Sequence, residues 1–320
     1  MASPNSTFTE MVTTTLRNHP SDVADNVSNH NLLYRRLRDK GKIRTLSGGY
    51  AIVRPLDYAE NSTFQRYSGY DTLNVSASDV LSAASYNWVQ SAVHVTASGL
   101  EMRQNSGREA MINLVNARVT NARRTAANNM SVDLYSTGAL TNQMGGLGHI
   151  ITSAGTGTVG GINSSTYTFW KNQFREATGT VTSSGVLAGQ MRLLWLSLNR
   201  GGDRPDLIVL SNDFYGYFWD GLTDLQRYAS SDKAVAGFNS LKFVDADVVF
   251  DSNTNFGSTA SVGYFLNTDY LELVEHREAR WNRLDDKMSV NQDAVVIPLI
   301  WMGQLVCSNR SLQGKLINVS

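Results

Sequence analysis

The sequence predicts an α+β chain in which an arm, an extended ribbon and a rod-like helix precede a compact α/β unit. Three observations carry that prediction. Strand-like residues broken by a polar turn run from Ile43 to about Val75. Apolar residues at helical spacing run from Met111 to Met130 with no proline among them. Beyond them, helical patterns and short buried strands alternate before the chain closes on strands.

The elements follow in order. Residues 1–40 are polar and irregular, with a short amphipathic piece at Asn31–Lys40 carrying Leu32, Leu33 and Leu37. Tyr50–Leu56 and Phe64–Val75 are expected to be the two strands of a hairpin, joined by the polar turn Asp57–Ser62. Its apolar residues are too few to bury both faces, and an isolated two-stranded ribbon is marginal in water, so it needs a partner surface. Ala84–Ser98 is a further extended stretch. Ser106-Gly107-Arg108-Glu109 has the S-x-x-E form of a capping box. Behind it, Met111, Val115, Val119, Ala122, Ala126 and Met130 share one helix face, with Asn113, Thr120, Arg124 and Ser131 opposite. That helix is expected to run about 30 residues, roughly 45 Å. Its stripe is narrow and alanine-rich, which suits a rod lying across a thin layer.

Gly138–Gly161 is glycine-rich and predicted to be loop, with one short strand at His149–Thr152. Leu187, Met191, Leu194, Trp195 and Leu198 mark a helix that stops at Gly201-Gly202. Leu207–Leu210 is a buried strand, and Ser211-Asn212-Asp213 offers caps for a helix with Phe214, Phe218, Leu222 and Leu225 inside. Leu241–Phe250, Val262–Leu266, Leu271–His276 and Ala294–Cys307 are the remaining strands.

Composition narrows the function classes. The chain has 320 residues, 42% of them hydrophobic, enough for one or two sizeable cores. Lys+Arg and Asp+Glu are both 28, so it lacks the basic excess of a free nucleic-acid binder. A neutral subunit also repels its own copies little, which suits dense self-assembly. Arginines number 21 and lysines 7. Arginine is the cation favoured at interfaces, although genomic base composition produces the same bias. Cys307 is the one cysteine, set in an apolar run, and is read as a buried inert thiol suited to a reducing compartment. Met1-Ala2-Ser3-Pro4 has neither the basic start nor the apolar stretch of a secretory signal. The apolar stretch Ala294–Val306 is too short to span a bilayer, so no membrane partner is expected.

Several motifs tempt. Gly155-Thr156-Gly157-Thr158-Val159-Gly160 matches the G-x-G-x-x-G fingerprint, but Gly161-Ile162-Asn163-Ser164-Ser165 is no helix start, so a plain loop is expected. Asp245 and Asp247 would share one face of a strand, yet no third metal ligand is recognisable nearby. The five histidines have no zinc-site spacing. Glu275-His276-Arg277-Glu278-Ala279-Arg280 reads as an ion-pair face, and Phe214–Trp219 as a packed helix face. No cofactor, metal site or catalytic group is expected.

Five stretches carry a family resemblance. They are Gly41-Lys42-Ile43-Arg44 with Gly48-Gly49-Tyr50, Gln104-Asn105-Ser106-Gly107, Gly160-Gly161-Ile162-Asn163 with Tyr167 and Phe169-Trp170, Phe265–Tyr270, and Cys307-Ser308-Asn309-Arg310. In that order, the chain resembles the major capsid proteins of tailed bacteriophages, with their Hong Kong 97-type fold. The resemblance implies an N-terminal arm (1–42), an extended loop hairpin (43–75) and a peripheral domain with a spine helix (76–138). It further implies an axial domain (139–265) and a return to the peripheral domain (266–320). It implies hexamers and pentamers in an icosahedral shell around packaged double-stranded DNA, with a portal protein. Only about 40 residues precede the hairpin, so scaffolding is expected from a separate protein. A decoration protein is a further partner the family allows. The expected location is the virion, after assembly in the host bacterial cytoplasm. The hairpin holds no lysine, which argues against a lysine cross-link.

The hairpin's poor self-burial suggests that it lies over the long helix of a neighbouring subunit. Arg54, Asp57, Glu60 and Arg66 would give charged contacts, Tyr58, Phe64 and Tyr67 area, and Arg123 and Arg124 the helix side. Two alternatives stand beside this reading: a nanocompartment shell protein of the same fold, and a dinucleotide-binding enzyme built on the glycine loop.

Overall fold

The computed structural model describes residues 32–104, 108–178, 184–222, 241–251, 256, 261–283, 287–288 and 293–319. The first 31 residues of the expected arm, Ser106 of the expected cap, and Leu225 lie outside them.

The described chain starts with helix α1 (Leu32–Asp39), strand β1 (Ile43–Leu46), the ribbon strands β2 (Ile52–Asp57) and β3 (Leu81–Tyr86), and β4 (Val89–Ser98). Helices α2 (Gly99–Gln104), α3 (Arg108–Tyr135) and α4 (Leu147–Ile150) follow, then β5 (Thr158–Val159), β6 (Ile162–Asn163) and β7 (Gln173–Thr178). The α/β part holds α5 (Ser184–Leu198), β8 (Leu207–Leu210), α6 (Asn212–Leu222), β9 (Leu241–Phe243), β10 (Ala246–Phe250) and β11 (Val262–Leu266). The closing strands are β12 (Leu271–Arg283), β13 (Lys287–Met288), β14 (Ala294–Cys307) and β15 (Gly314–Val319).

Two sheets organise these elements. In the first, β14 is central: β4 pairs along one edge, while β12 and then β13 share the other, and β1 extends the sheet beyond β12. The rod α3 crosses this sheet, placing Val119 and Ala122 on Val95, Ile297 and Leu299. The second sheet has six strands in the order β7-β15-β11-β8-β10-β9. Helices α5 and α6 cover one face with Leu187, Met191, Leu194, Trp195, Phe214 and Phe218 over Ile208, Val248 and Phe265. The opposite face contributes Leu207, Val209 and Tyr264 to a core shared with Met130, Leu134 and Tyr135 of α3 and Leu273 and Leu305 of the first sheet. Strand β8 is buried at all four positions, which explains why it reads as an unbroken apolar run. Full burial of each such side chain contributes about 1.5–3 kcal/mol.

The mixed helix and strand order, the 28-residue helix α3, α5, β8 and α6 agree with expectation. Four details differ. The ribbon's second strand is Leu81–Tyr86, and Phe64–Val75 carries no ladder. Residues around His149 form a short helix where a strand was expected. Leu241–Phe250 is two strands folded at Val244-Asp245, with Val244 at φ 55°. Ser131 is fully buried, although it was placed on the polar face.

A capping box does exist, at Ser98 and Glu101 on α2. The Glu101 amide donates to Ser98 Oγ at 3.2 Å, and the Ser98 amide donates to Glu101 Oε2 at 3.1 Å. The two terminal guanidinium nitrogens of Arg118 donate to the same carboxylate at 3.1 Å, tying α2 to α3. These bonds, Arg118 first, hold the Glu101 carboxyl below the usual glutamate range.

Candidate intersubunit surface

The ribbon β2–β3 is two-faced because side chains alternate along a strand. Ile52, Leu56, Ala84 and Tyr86 turn inward and are buried, while Val53 and Leu81 point out. Three contacts seat this root. Arg54, mostly enclosed, is paired with Glu272 of β12. The Tyr86 hydroxyl bonds the backbone of Cys307. The Ser85 amide donates to the Gly160 carbonyl at 2.9 Å.

Gly160 and Gly161 form the two-residue turn of the β5–β6 hairpin, at φ 61° and 78°. Two successive positive φ values are what such a turn needs. A Cβ on Gly160 would sit 2.8 Å from that of Ala84, so the ribbon approaches this turn as closely as glycine permits. The third glycine of the G-x-G-x-x-G string thus opens a hairpin and not a helix, and provides no helix N-terminus for a pyrophosphate.

This glycine segment is pinned by Arg310, which is fully buried. Its guanidinium donates to Ser164 Oγ (3.0 Å), Thr152 Oγ1 (3.1 Å) and the carbonyls of Trp170 (3.3 Å), Thr156 (3.4 Å) and Ile150 (2.5 Å). These acceptors are neutral carbonyls and hydroxyls, and the planar fork meets several at once. Beside it the Cys307 thiol is buried and its pKa is pushed up to about 12, mainly by desolvation, so it is not a nucleophile.

Beyond the root, residues 58–80 project without a ladder. Side chains link the two limbs instead: the Ser62 amide donates to Ser78 Oγ at 3.2 Å, Gln65 Nε2 to the Thr72 carbonyl at 3.0 Å, and the Asn74 amide to Gln65 Oε1 at 3.2 Å. At the far end, Ser68–Asp71 is a turn. The Asp71 amide reaches the Ser68 carbonyl at 3.3 Å, the Ser68 amide reaches Asp71 Oδ2 at 2.8 Å, and Gly69 has φ 55°. This turn thrusts out Tyr70, whose relative exposure is 107%. Phe64, Tyr67, Leu73 and Val75 are also exposed. Eight of the seventeen exposed large apolar side chains among the described residues lie between Tyr50 and Leu81. Such clustering makes this segment the candidate interaction surface.

The nine expected contact residues divide. Glu60, Phe64, Arg66 and Tyr67 are exposed on the projecting part and Asp57 at the end of β2, and the Arg66 guanidinium lies 5.8 Å over the Phe64 ring. Tyr58 is half-buried, its ring centroid 6.1 Å from that of Phe169 at the root. Arg54 turns inward onto Glu272. Arg123 is exposed and Arg124 half-buried on α3. Tyr70 was missed; the Ser-Gly-Tyr-Asp string, which favours a tight turn, was the available signal.

A cleft of about 330 Å³ opens beside Arg123, walled by Ala126, Ala127 and Met130 of α3, Tyr34 of α1, and Trp281 and Leu299 of the sheet. A second cavity, about 540 Å³, lies under the ribbon's root between Asp57, Tyr58, Glu60 and Arg200. Among the described residues, no group of three or more His, Cys, Asp or Glu side chains is placed to hold a metal. Asp245 sits in a turn with Arg204, 2.6 Å away, and Asp247 on β10 with Arg36, 2.7 Å away. Among the same residues, no helix is long and apolar enough to cross a membrane.

No protein-family profile matches the chain, and no curated protein sequence matches it either. Solved structures do. The capsid asymmetric unit of cyanophage A-1(L) superposes with TM-score 0.67 at 14% identity, covering 95% of this chain and 97% of that one. The capsid of myovirus phage XM1 gives TM-score 0.56 at 13% identity, over 95% and 97%. The capsid of an empty GTA particle gives 0.60 at 10% identity, over 99% and 100%. The chain therefore has, along nearly its whole length, the α+β fold of tailed-phage capsid subunits.

Proposed function

We propose that this chain is a major capsid protein, a structural and non-enzymatic subunit of a tailed-phage head. It assembles through hexamers and pentamers into an icosahedral shell around double-stranded DNA, and resides in the virion after assembly in the host bacterial cytoplasm. A portal protein and a separate scaffolding protein are the partners this role entails, and a decoration protein is one it allows. The observation that carries the reading is the projecting segment 58–80. It exposes aromatic and aliphatic side chains to water on a fold shared end to end with shell subunits. A monomer gains nothing from that exposure, whereas a neighbouring copy covers it. Contacts of this head-to-tail kind close into rings, and small angular changes between rings give curvature.

The test replaces residues 59–79 by a two-residue Asn-Gly turn, joining β2 to β3 directly. The expected product has an unchanged circular dichroism spectrum and melts cooperatively, yet forms no shells under negative stain. Shells of ordinary size from this variant would refute the reading.

A further inference from the structure

We infer that the cleft between α3 and β12 is a socket for Tyr70 of a second copy of this chain. The inference rests on the assembly reading above and specifies where the tip of the ribbon lands.

Both halves of the contact are visible in one subunit. The donor half is a side chain held away from its own protein. The turn at Ser68–Asp71 is closed by two hydrogen bonds, so Tyr70 is presented on a fixed support and loses little freedom on docking. Aromatic side chains carry large contact area on few rotatable bonds, and they dominate the energetics of interfaces.

The acceptor half is a cleft lined mainly by apolar side chains. Ala126, Ala127 and Met130 make one wall, and the small alanine side chains leave it open. Trp281 makes the opposite wall at a cost. It lies at the register shift of β12 against β14 between Arg280 and Asn282, and its φ is 55°. A bulky residue in that region is strained by roughly 1–3 kcal/mol and persists only where the surroundings fix it. Bulges of this kind re-aim a side chain, and here the Trp281 ring is stacked on the buried Trp301, centroids 6.4 Å apart. At about 330 Å³ the cleft is at the small end of ligand-sized pockets, roughly 300–1,000 Å³, and suits one side chain better than a cofactor.

Charge agrees. The segment 52–86 carries Asp57, Glu60, Asp71 and Asp79 against Arg54 and Arg66, and Arg54 is spent on Glu272. The mouth of the cleft carries Arg123. Asp71, adjacent to Tyr70, is placed to meet it. A polar rim around an aromatic anchor is the usual anatomy of a protein interface.

The experiment uses Ala127, which is exposed at the lip of the cleft. Chains carrying Ala127→Cys are labelled with a maleimide as free subunits and as shells; native Cys307 is fully buried and does not compete. Labelling at least tenfold slower in shells is expected. Ala127→Cys chains are then co-assembled with Tyr70→Cys chains and mildly oxidised. A disulfide-linked dimer on a denaturing gel, absent from either variant alone, establishes the socket. Equal labelling in the two states overturns it. Slow labelling without any cross-link also overturns it, since something other than Tyr70 then fills the cleft. The ribbon-deleted chain separates the two ideas. If it cannot assemble while the socket tests fail, the ribbon still joins subunits but lands elsewhere. If it assembles normally, the assembly role of the ribbon falls and the socket falls with it.

Discussion

One hydroxyl group, that of Tyr86, satisfies both backbone groups of Cys307, 221 positions along the chain: it donates to the carbonyl at 2.8 Å and accepts from the amide at 3.3 Å. Among the described residues, β4 pairs with its edge of β14 only as far as Gly303, so at Cys307 a side chain from the ribbon takes the place of a strand. Burial of the phenol, the largest influence, raises its pKa well above the ordinary tyrosine value, and it stays a neutral donor.

Tyr86→Phe removes that oxygen and leaves the Cys307 amide and carbonyl buried without it. The expected loss is about 1–3 kcal/mol. Urea titration should show a lower midpoint with an unchanged slope.

Gly160 and Gly161 should respond unequally to alanine. At Gly161 (φ 78°) nothing lies within 4 Å of a new Cβ, so only backbone strain applies. That strain costs about 1–2 kcal/mol. At Gly160 the same strain is joined by a 2.8 Å approach to Ala84, which must move and take the ribbon with it. Gly160→Ala should therefore lose more stability than Gly161→Ala in paired thermal melts, and it should speed protease cleavage within 58–80.

Arg310→Lys should not behave as a conservative change. A single ammonium cannot reach acceptors spread from Ile150 to Trp170, and each buried acceptor left unmet costs about 1–3 kcal/mol. Both Arg310→Lys and Arg310→Met are expected to lower the melting temperature by ten degrees or more, on the order of what a small multiple of that penalty does to a mid-sized domain. A Lys variant melting like the parent would contradict this account.

Glu101 supplies a pH dependence with a definite sign. Its carboxyl is held below its unfolded value, chiefly by Arg118. Its contribution is therefore fully present above the ordinary glutamate range, near about pH 4.3, and is lost as pH falls through the lower folded value. Melting curves of the parent and Glu101→Gln should differ at neutral pH and converge in acid. A difference that grew in acid would reverse the assignment.

Much of the fold was legible in the sequence because burial imposed a period on it. Leu187, Met191, Leu194, Trp195 and Leu198 lie one helical turn apart and fill one core, and Leu207–Leu210 is enclosed on both faces. The ribbon was misread for the converse reason. Phe64–Val75 has the aromatic and β-branched residues typical of strands, but those residues are exposed. The strand that pairs is Leu-Ser-Ala-Ala-Ser-Tyr, a string with little strand propensity of its own. Its position is dictated by Ala84 fitting under Gly160 and Tyr86 reaching Cys307, relations far apart in sequence. The glycine string matched a nucleotide motif for a comparable reason. Positive φ is needed both by phosphate loops and by tight hairpin turns, and letters alone do not separate them. Of the candidate surface, the exposed hairpin aromatics were readable from poor self-burial. The cleft at Trp281 was not, because it arises from a bulge and a helix crossing.

The seating of the ribbon root on Cys307 also sets an order of events during synthesis. Tyr86 is translated more than two hundred residues before the backbone it binds, and Arg310, which pins the turn beneath Ala84, comes later still. Contacts of such long sequence separation form slowly and late. A nascent chain that stops before Cys307 lacks both of these anchors, so this part of the ribbon root is seated only once the last residues are made.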